Sequence, residues 1–184
     1  MKRNILILAL ILSSTALWAQ PQNSIIISGG YSFANIKESS NQGTGYNIGA
    51  SFDFNPGGGK FVHGITFGFV TVSTSETVLN QNVEYSIHSY PVYYSPKYLF
   101  GEGKIKPFIK GNLGMQYADL RIETNNLADH DLDLGFYGGG GAGLMISLGE
   151  KLFITGEYNI DWVSNSAYSD GWVNSATGGI GIKF

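Results

Sequence analysis

Cysteine is absent from the chain, which excludes a disulfide framework and a thiolate metal centre. Charge is scarce as well: Asp, Glu, Lys and Arg make up 14% of 184 residues, where a water-facing surface carries roughly a quarter or more. Basic residues are the scarcer sign, 11 against 14 acidic, so the basic stripe that nucleic-acid binding needs is missing and no such partner is expected. Long apolar runs are also missing. The most continuous, Ile5 to Leu12, falls far short of the ~20 residues a membrane-spanning helix requires. Lys2 and Arg3 precede that run and a stretch ending in Ala19 follows it, which makes residues 1–19 a cleavable export signal. Leu17 stands three before the cut, where a small residue is usual. Residues 20–184 are then long enough for one domain with its own core.

Glycine and alternation are what the chain has in excess. Glycine accounts for 26 residues, about twice average usage. In Tyr46-Asn47-Ile48-Gly49-Ala50-Ser51-Phe52-Asp53-Phe54 the even positions are apolar and the odd ones polar or glycine, the period of a strand with one apolar face. From Leu152 to Trp162 the pattern repeats, with Leu152, Ile154, Tyr158, Ile160 and Trp162 against Thr155, Glu157, Asn159 and Asp161. Eight strands follow, near 24–34, 44–54, 60–74, 83–99, 105–119, 133–148, 151–164 and 171–184, with no amphipathic helix between them. Their links alternate. Those near 55–59, 101–104 and 149–150 are short turns, and those near 35–43, 75–82, 121–132 and 165–170 are longer and polar. In strand four the alternation switches parity near Pro91, as at a bulge.

Alternation does not say which face points inward, and a soluble eight-stranded barrel would put its apolar face inside. Three features favour the inside-out arrangement: the export signal, strands at least as long as the ~9–11 residues that cross a bilayer, and aromatic residues near strand ends. Tyr31, Phe33, Tyr46, Tyr117, Trp162 and Trp172 lie toward the long-link end, and Phe52, Phe54, Phe61 and Phe184 toward the short-turn end. The reading is an all-β, eight-stranded antiparallel up-and-down transmembrane β-barrel in the outer membrane, surrounded by outer-membrane lipids. Lys110, Asn112, Gln116, Glu157, Asn159, Asp161 and Lys183 then point inward as a polar lumen network. Eight strands enclose a space that side chains fill, so a permanent channel is not expected.

The chain closes on Gly178-Gly179-Ile180-Gly181-Ile182-Lys183-Phe184, apolar at alternate positions and aromatic at its last residue. This resembles the C-terminal assembly signal of bacterial outer-membrane barrels, with Ile180, Ile182 and Phe184 as its residues. The mature chain as a whole resembles the small eight-stranded OmpA/OmpX-type barrels, also described as porin family proteins. Tyr85 to Tyr94 with its internal Pro91 resembles that family's fourth strand, and Gly138 to Leu148 running into Leu152 to Tyr158 is similar to the family as well. The resemblance implies contact with the barrel-assembly machinery and, for the exposed links, a surface partner that the sequence does not identify.

Three stretches imitate chemistry. Gly138, Gly140 and Gly143 satisfy G-x-G-x-x-G, yet Leu144-Met145-Ile146-Ser147-Leu148 continues as strand where a nucleotide site needs a helix. Glu84, Ser86 and His88 are hydrolase residue types, but same-face neighbours on a strand are about 6.6–6.8 Å apart and a nucleophile needs its base within ~3.2 Å. Asp129-His130-Asp131-Leu132-Asp133 opens like a calcium loop, then places Leu134 and Gly140 where glycine and glutamate belong. No catalytic, cofactor or metal residues are assigned. The expected function is a structural or surface-interaction role; a small pore is the alternative and a lipid-modifying enzyme the next.

Overall fold

The computed structural model describes residues 23–37, 39, 41–55, 59–78, 81–124 and 127–184, and for 78, 81–82, 123–124 and 127–131 the backbone alone. The strands are β1 (Ser24–Ile36), β2 (Gln42–Phe54), β3 (Phe61–Val78), β4 (Gln81–Tyr94), β5 (Lys97–Leu99), β6 (Ile105–Thr124), β7 (Leu127–Ser147), β8 (Leu152–Val163) and β9 (Tyr168–Lys183). β5 continues β4 past a break at Ser95 and Pro96, where Ser95 N–H donates to Gly64 O and Gly111 N–H to Pro96 O, so nine segments make eight barrel strands. Each pairs antiparallel with its neighbour, and β9 pairs with β1 from Lys183↔Ser24 upward, which closes the ring. Around the closed ring each strand is paired on both sides, the condition for a sheet in hydrocarbon; beyond Ser73 of β3 and before Tyr137 of β7 the ladders to β2 and β8 end.

The strands are staggered. Starting at Ile25, one outward-facing row passes through Phe52, Ile65, Tyr94, Leu113, Gly138, Trp162 and Trp172 and meets β1 again beside Ala34, roughly ten residues further along. That stagger tilts the strands and sets the width of the interior.

Two links that read as long loops are strand. β3 and β4 pair to Val78↔Gln81, and β6 and β7 to Thr124↔Leu127, so β3, β4, β6 and β7 rise together as a four-stranded wall. Their polar composition hid the β-propensity of Thr77 and Val78, which continue β3 past the strand read to residue 74. The links at 37–41 and 164–167 are short, which makes the β8-β9-β1-β2 side the low one.

Strand parity is unbroken at Pro91. Tyr85, Ile87, Ser89, Pro91 and Tyr93 all face inward, and Phe67↔Val92 and Val70↔Ser89 belong to one register. The apparent switch has another cause, an exchange of polarity along the strand. Around the mid-barrel, apolar residues such as Ile48, Phe67 and Leu113 face out. In the wall the inward face is apolar, with Val72, Ile87 and Leu120 buried, and the outward face carries Ser73, Glu84, Ser86 and His88.

The interior therefore has three layers. A cap at the wall end packs Ala34, Ile36, Val72, Ile87, Leu120, Val163, Ala167, Tyr168 and Val173 against one another. A polar waist lies in the middle, and Ile26, Phe108, Met145 and Phe153 form a smaller apolar layer toward the short turns.

Candidate functional site

The waist is built from inward positions of facing strands. Lys110 Nζ on β6 donates to Glu157 Oε1 on β8 at 2.7 Å, and Asn159 Nδ2 donates to the same oxygen at 3.2 Å. Asn112 Nδ2 and the Tyr137 hydroxyl each donate to Asp161 at 2.7 Å. Tyr137 also stacks on Tyr93 with centroids 4.9 Å apart, which ties this carboxylate to the underside of the cap. Glu157, Asn159, Asp161 and the buried Gln116 border a cavity of about 50 Å³. Among the described residues Asn159 Oδ1, Gln116 Nε2 and Thr177 Oγ1 have no hydrogen-bond partner there, so the space is polar and roomy enough for a few waters.

Of the seven residues expected in the lumen, six meet in the waist. Lys183 does not. It faces inward at the short-turn mouth, with Nζ 5.5 Å from the centre of the Phe153 ring and away from Glu157. A second ion pair went unread in the sequence: Lys97 Nζ donates to both carboxylate oxygens of Asp53, at 3.0 and 2.7 Å, with side chains 6% and 2% exposed. Asp53 sits on the polar side of the clearest alternating strand and Lys97 keeps the inward parity of β4. Facing was legible, but the pairing depends on which strands become neighbours.

Glycine makes the waist possible. At the depth of the waist the inward glycines of β7 are Gly139, Gly141 and Gly143, which shifts the stripe from the motif positions Gly138 and Gly140 that face out. A Cβ at Gly139 would strike Asp161 Oδ1, and one at Gly141 would strike Asn159 Oδ1. The β8 side chains lie across bare β7 backbone.

Aromatic residues ring the outside at both ends. Tyr46, Tyr117, Trp162 and Trp172 are 53, 42, 40 and 47% exposed and all point outward. Trp162 and Trp172 are cross-strand partners, and Tyr46, Phe69, Tyr90 and Tyr117 follow one another at 5.3–6.4 Å. At the short-turn end the Phe184 ring is 6.2 Å from Phe52, and Phe184 N–H donates to Asn23 O at 2.9 Å. Ile180 and Ile182 are exposed on the outer face, beside Ile27 and Ile25 of β1.

The other stretches are strand surface. Glu84, Ser86 and His88 lie along the outer face of β4; His88 stands opposite Asp119, whose carboxylate accepts from Arg121 Nε at 2.8 Å. Residues 129–133 belong to β7, so they form no calcium loop; the side chains of 129–131 lie outside the described residues. Asp133 Oδ2 accepts from Ser166 N–H at 2.7 Å and from its hydroxyl at 3.0 Å, and these bonds hold the carboxyl below its ordinary value. Among the described residues no three His, Asp or Glu side chains gather as metal ligands.

The family described as "Outer membrane protein beta-barrel domain" has a model that matches residues 5–184. No curated protein matches the chain. Among solved structures, Neisserial surface protein A (NspA) is similar at TM-score 0.65 and 10% identity, covering 88% of this chain and 97% of that one. Ail of Yersinia pestis aligns at TM-score 0.54 and 17% identity over 89% of this chain and 99% of its own. The N-terminal β-barrel domain of Pseudomonas aeruginosa OprF aligns at TM-score 0.54 and 14% identity, over 90% and 100%. At such identities these structures establish the fold alone. With its strands closed, its apolar residues turned outward between two aromatic rings and its family match running almost end to end, the chain belongs to the outer membrane protein beta-barrel domain family.

Proposed function

We propose that the protein is a sealed outer-membrane barrel that works through its surface, with the wall of β3, β4, β6 and β7 displayed outside the cell and the short turns in the periplasm. The observation that carries this reading is the closure of the interior. Ala167 and Tyr168, from the low side, belong to the same buried apolar cluster as Val72 and Ile87 of the wall, and the Tyr168 hydroxyl is 3.0 Å from Ser89 Oγ. Below that cap, Lys110, Glu157 and Asn159 cross the waist, and the cavities they border among the described residues are small, about 50 and 10 Å³. An ion would meet an apolar barrier and then a charged one.

The surface reading includes no chemistry. Ser86 and His88 are successive same-face residues of one strand, about 6.6–6.8 Å apart at the backbone, and the Asp119 carboxylate opposite His88 accepts from Arg121. Residues 1–19 lie outside the described residues, and their removal as an export signal remains part of the proposal, as do contact with lipids and recognition of Phe184 by the assembly machinery. Planar-bilayer recordings on the refolded mature chain test the central claim. Silence or rare small events are expected, and a steady, large conductance refutes the sealed barrel. Lipid turnover that the wild type catalyses and His88→Ala loses would refute the non-enzymatic part.

A further inference from the structure

The short-turn mouth holds a second cavity, about 370 Å³, separated from the waist by the Ile26, Phe108, Met145 and Phe153 layer. Five charged side chains border it: Asp53, Lys97, Lys106, Glu150 and Lys183. Asp53 and Lys97 neutralise each other at 2.7 Å, and Glu150 is exposed at the rim. Lys106 and Lys183 have no carboxylate within ion-pair distance among the described residues. They reach the cavity from β6 and β9, and the ring of Phe153 under the Lys183 ammonium gives that side chain a defined seat.

Charge is also sorted by end. Lys60, Lys104 and Lys151 occupy the short turns against Glu102 and Glu150, whereas the wall and its links carry Glu76, Glu84, Asp119, Asp133 and Asp170 against Lys37 and Arg121. Two ammonium groups facing one concave space attract and concentrate anions.

We propose that this vestibule is an anion site that takes a phosphate group presented from the periplasm. Phosphate suits it better than a lone carboxylate. Lysines act as separate point charges that grip a tetrahedral anion from different sides, and no arginine fork is present to match a planar carboxylate. Ser24 supplies a hydroxyl at the mouth, and Val62, Leu99 and Met145 supply an apolar wall for whatever bears the phosphate. The bearer is an inner-leaflet lipid headgroup or a soluble phosphorylated compound. This goes beyond the sealed-barrel reading and rests only on the short turns facing the periplasm, since a conducting barrel would keep the same vestibule.

The test uses the mature barrel refolded in phosphate-free detergent at low salt, titrated with inorganic phosphate by calorimetry. Saturable binding is expected, weakened about tenfold or more by Lys106→Gln and by Lys183→Gln, the scale of a lost charge-assisted bond. Lys60→Gln, on the same rim but outside the cavity, should stay within about twofold, because an exposed charge contributes little. Heat-modifiable migration verifies that each variant is folded. Absence of saturable binding, or an equal loss in Lys60→Gln, overturns the site. Weaker phosphate binding in phosphatidylglycerol nanodiscs than in detergent identifies a competing lipid headgroup, and equal binding identifies a soluble ligand; either supports the site.

Discussion

Truncating Glu157 to alanine isolates the energetics of the waist. Lys110 is 4% exposed and Glu157 16%, and the 2.7 Å bond between them is supplemented by Asn159. Removing one partner of a buried pair costs about 3–5 kcal/mol, because the remaining charge keeps its desolvation penalty and loses its compensation. Glu157 borders the 50 Å³ cavity, so water can reach the orphaned ammonium, which puts the expected loss near the lower end, about 3 kcal/mol. Replacing both partners with apolar residues, Lys110→Met with Glu157→Leu, removes the penalty with the attraction and should cost under ~1.5 kcal/mol. Urea unfolding in detergent, followed by Trp162 and Trp172 fluorescence and by gel mobility, gives each midpoint, and an unchanged slope validates the comparison. A Glu157→Ala barrel within about 1 kcal/mol of wild type, or a double variant weaker than the single one, refutes the reasoning. The same Glu157→Ala barrel should remain non-conducting, since Ile36, Val72, Ile87 and Leu120 still close the outer end.

Polarity along the outer face has its own test: Leu113→Arg, 56% exposed at mid-barrel, should cost about 2–4 kcal/mol on refolding into bilayers, whereas Ser73→Arg, outward on the wall, should stay within ~0.5 kcal/mol. Gly141→Ala drives a methyl group into Asn159 and should lower stability by about 1–3 kcal/mol in the same urea assay, while Gly156→Ala, which meets nothing within 4 Å, should not. Deleting Phe184 removes the ring contact with Phe52 and the backbone bond to Asn23 but leaves the β9–β1 ladder from Ser24↔Lys183 upward. Heat-modifiable protein recovered from outer membranes should therefore fall far more than the urea midpoint of the refolded variant, and normal recovery would leave Phe184 an ordinary strand residue.

Local pattern carried most of the architecture. Period-two alternation located every barrel strand and told which residues of β2 and β8 face the lumen, because successive side chains of a strand have no choice but opposite faces. From that, Lys110, Asn112, Gln116, Glu157, Asn159 and Asp161 could be placed inside before any neighbour was known. The strand ends were less legible: residues 75–78 and 121–124 are mostly polar in sequence, so composition imitated a loop although cross-strand pairing continued.

What only the tertiary structure decided depends on who stands beside whom. The union of Asp53 with Lys97 joins residues 44 apart in sequence and follows from the stagger with which the strands close. Side-chain parity is a property of one strand and is written in its sequence; register between strands, and the depth at which outward-facing residues pass from hydrocarbon to water, belong to the assembled barrel. For that reason Tyr85 and Ile87 looked displaced to the wrong face of strand four, when the solvent around that strand had changed and the strand had not.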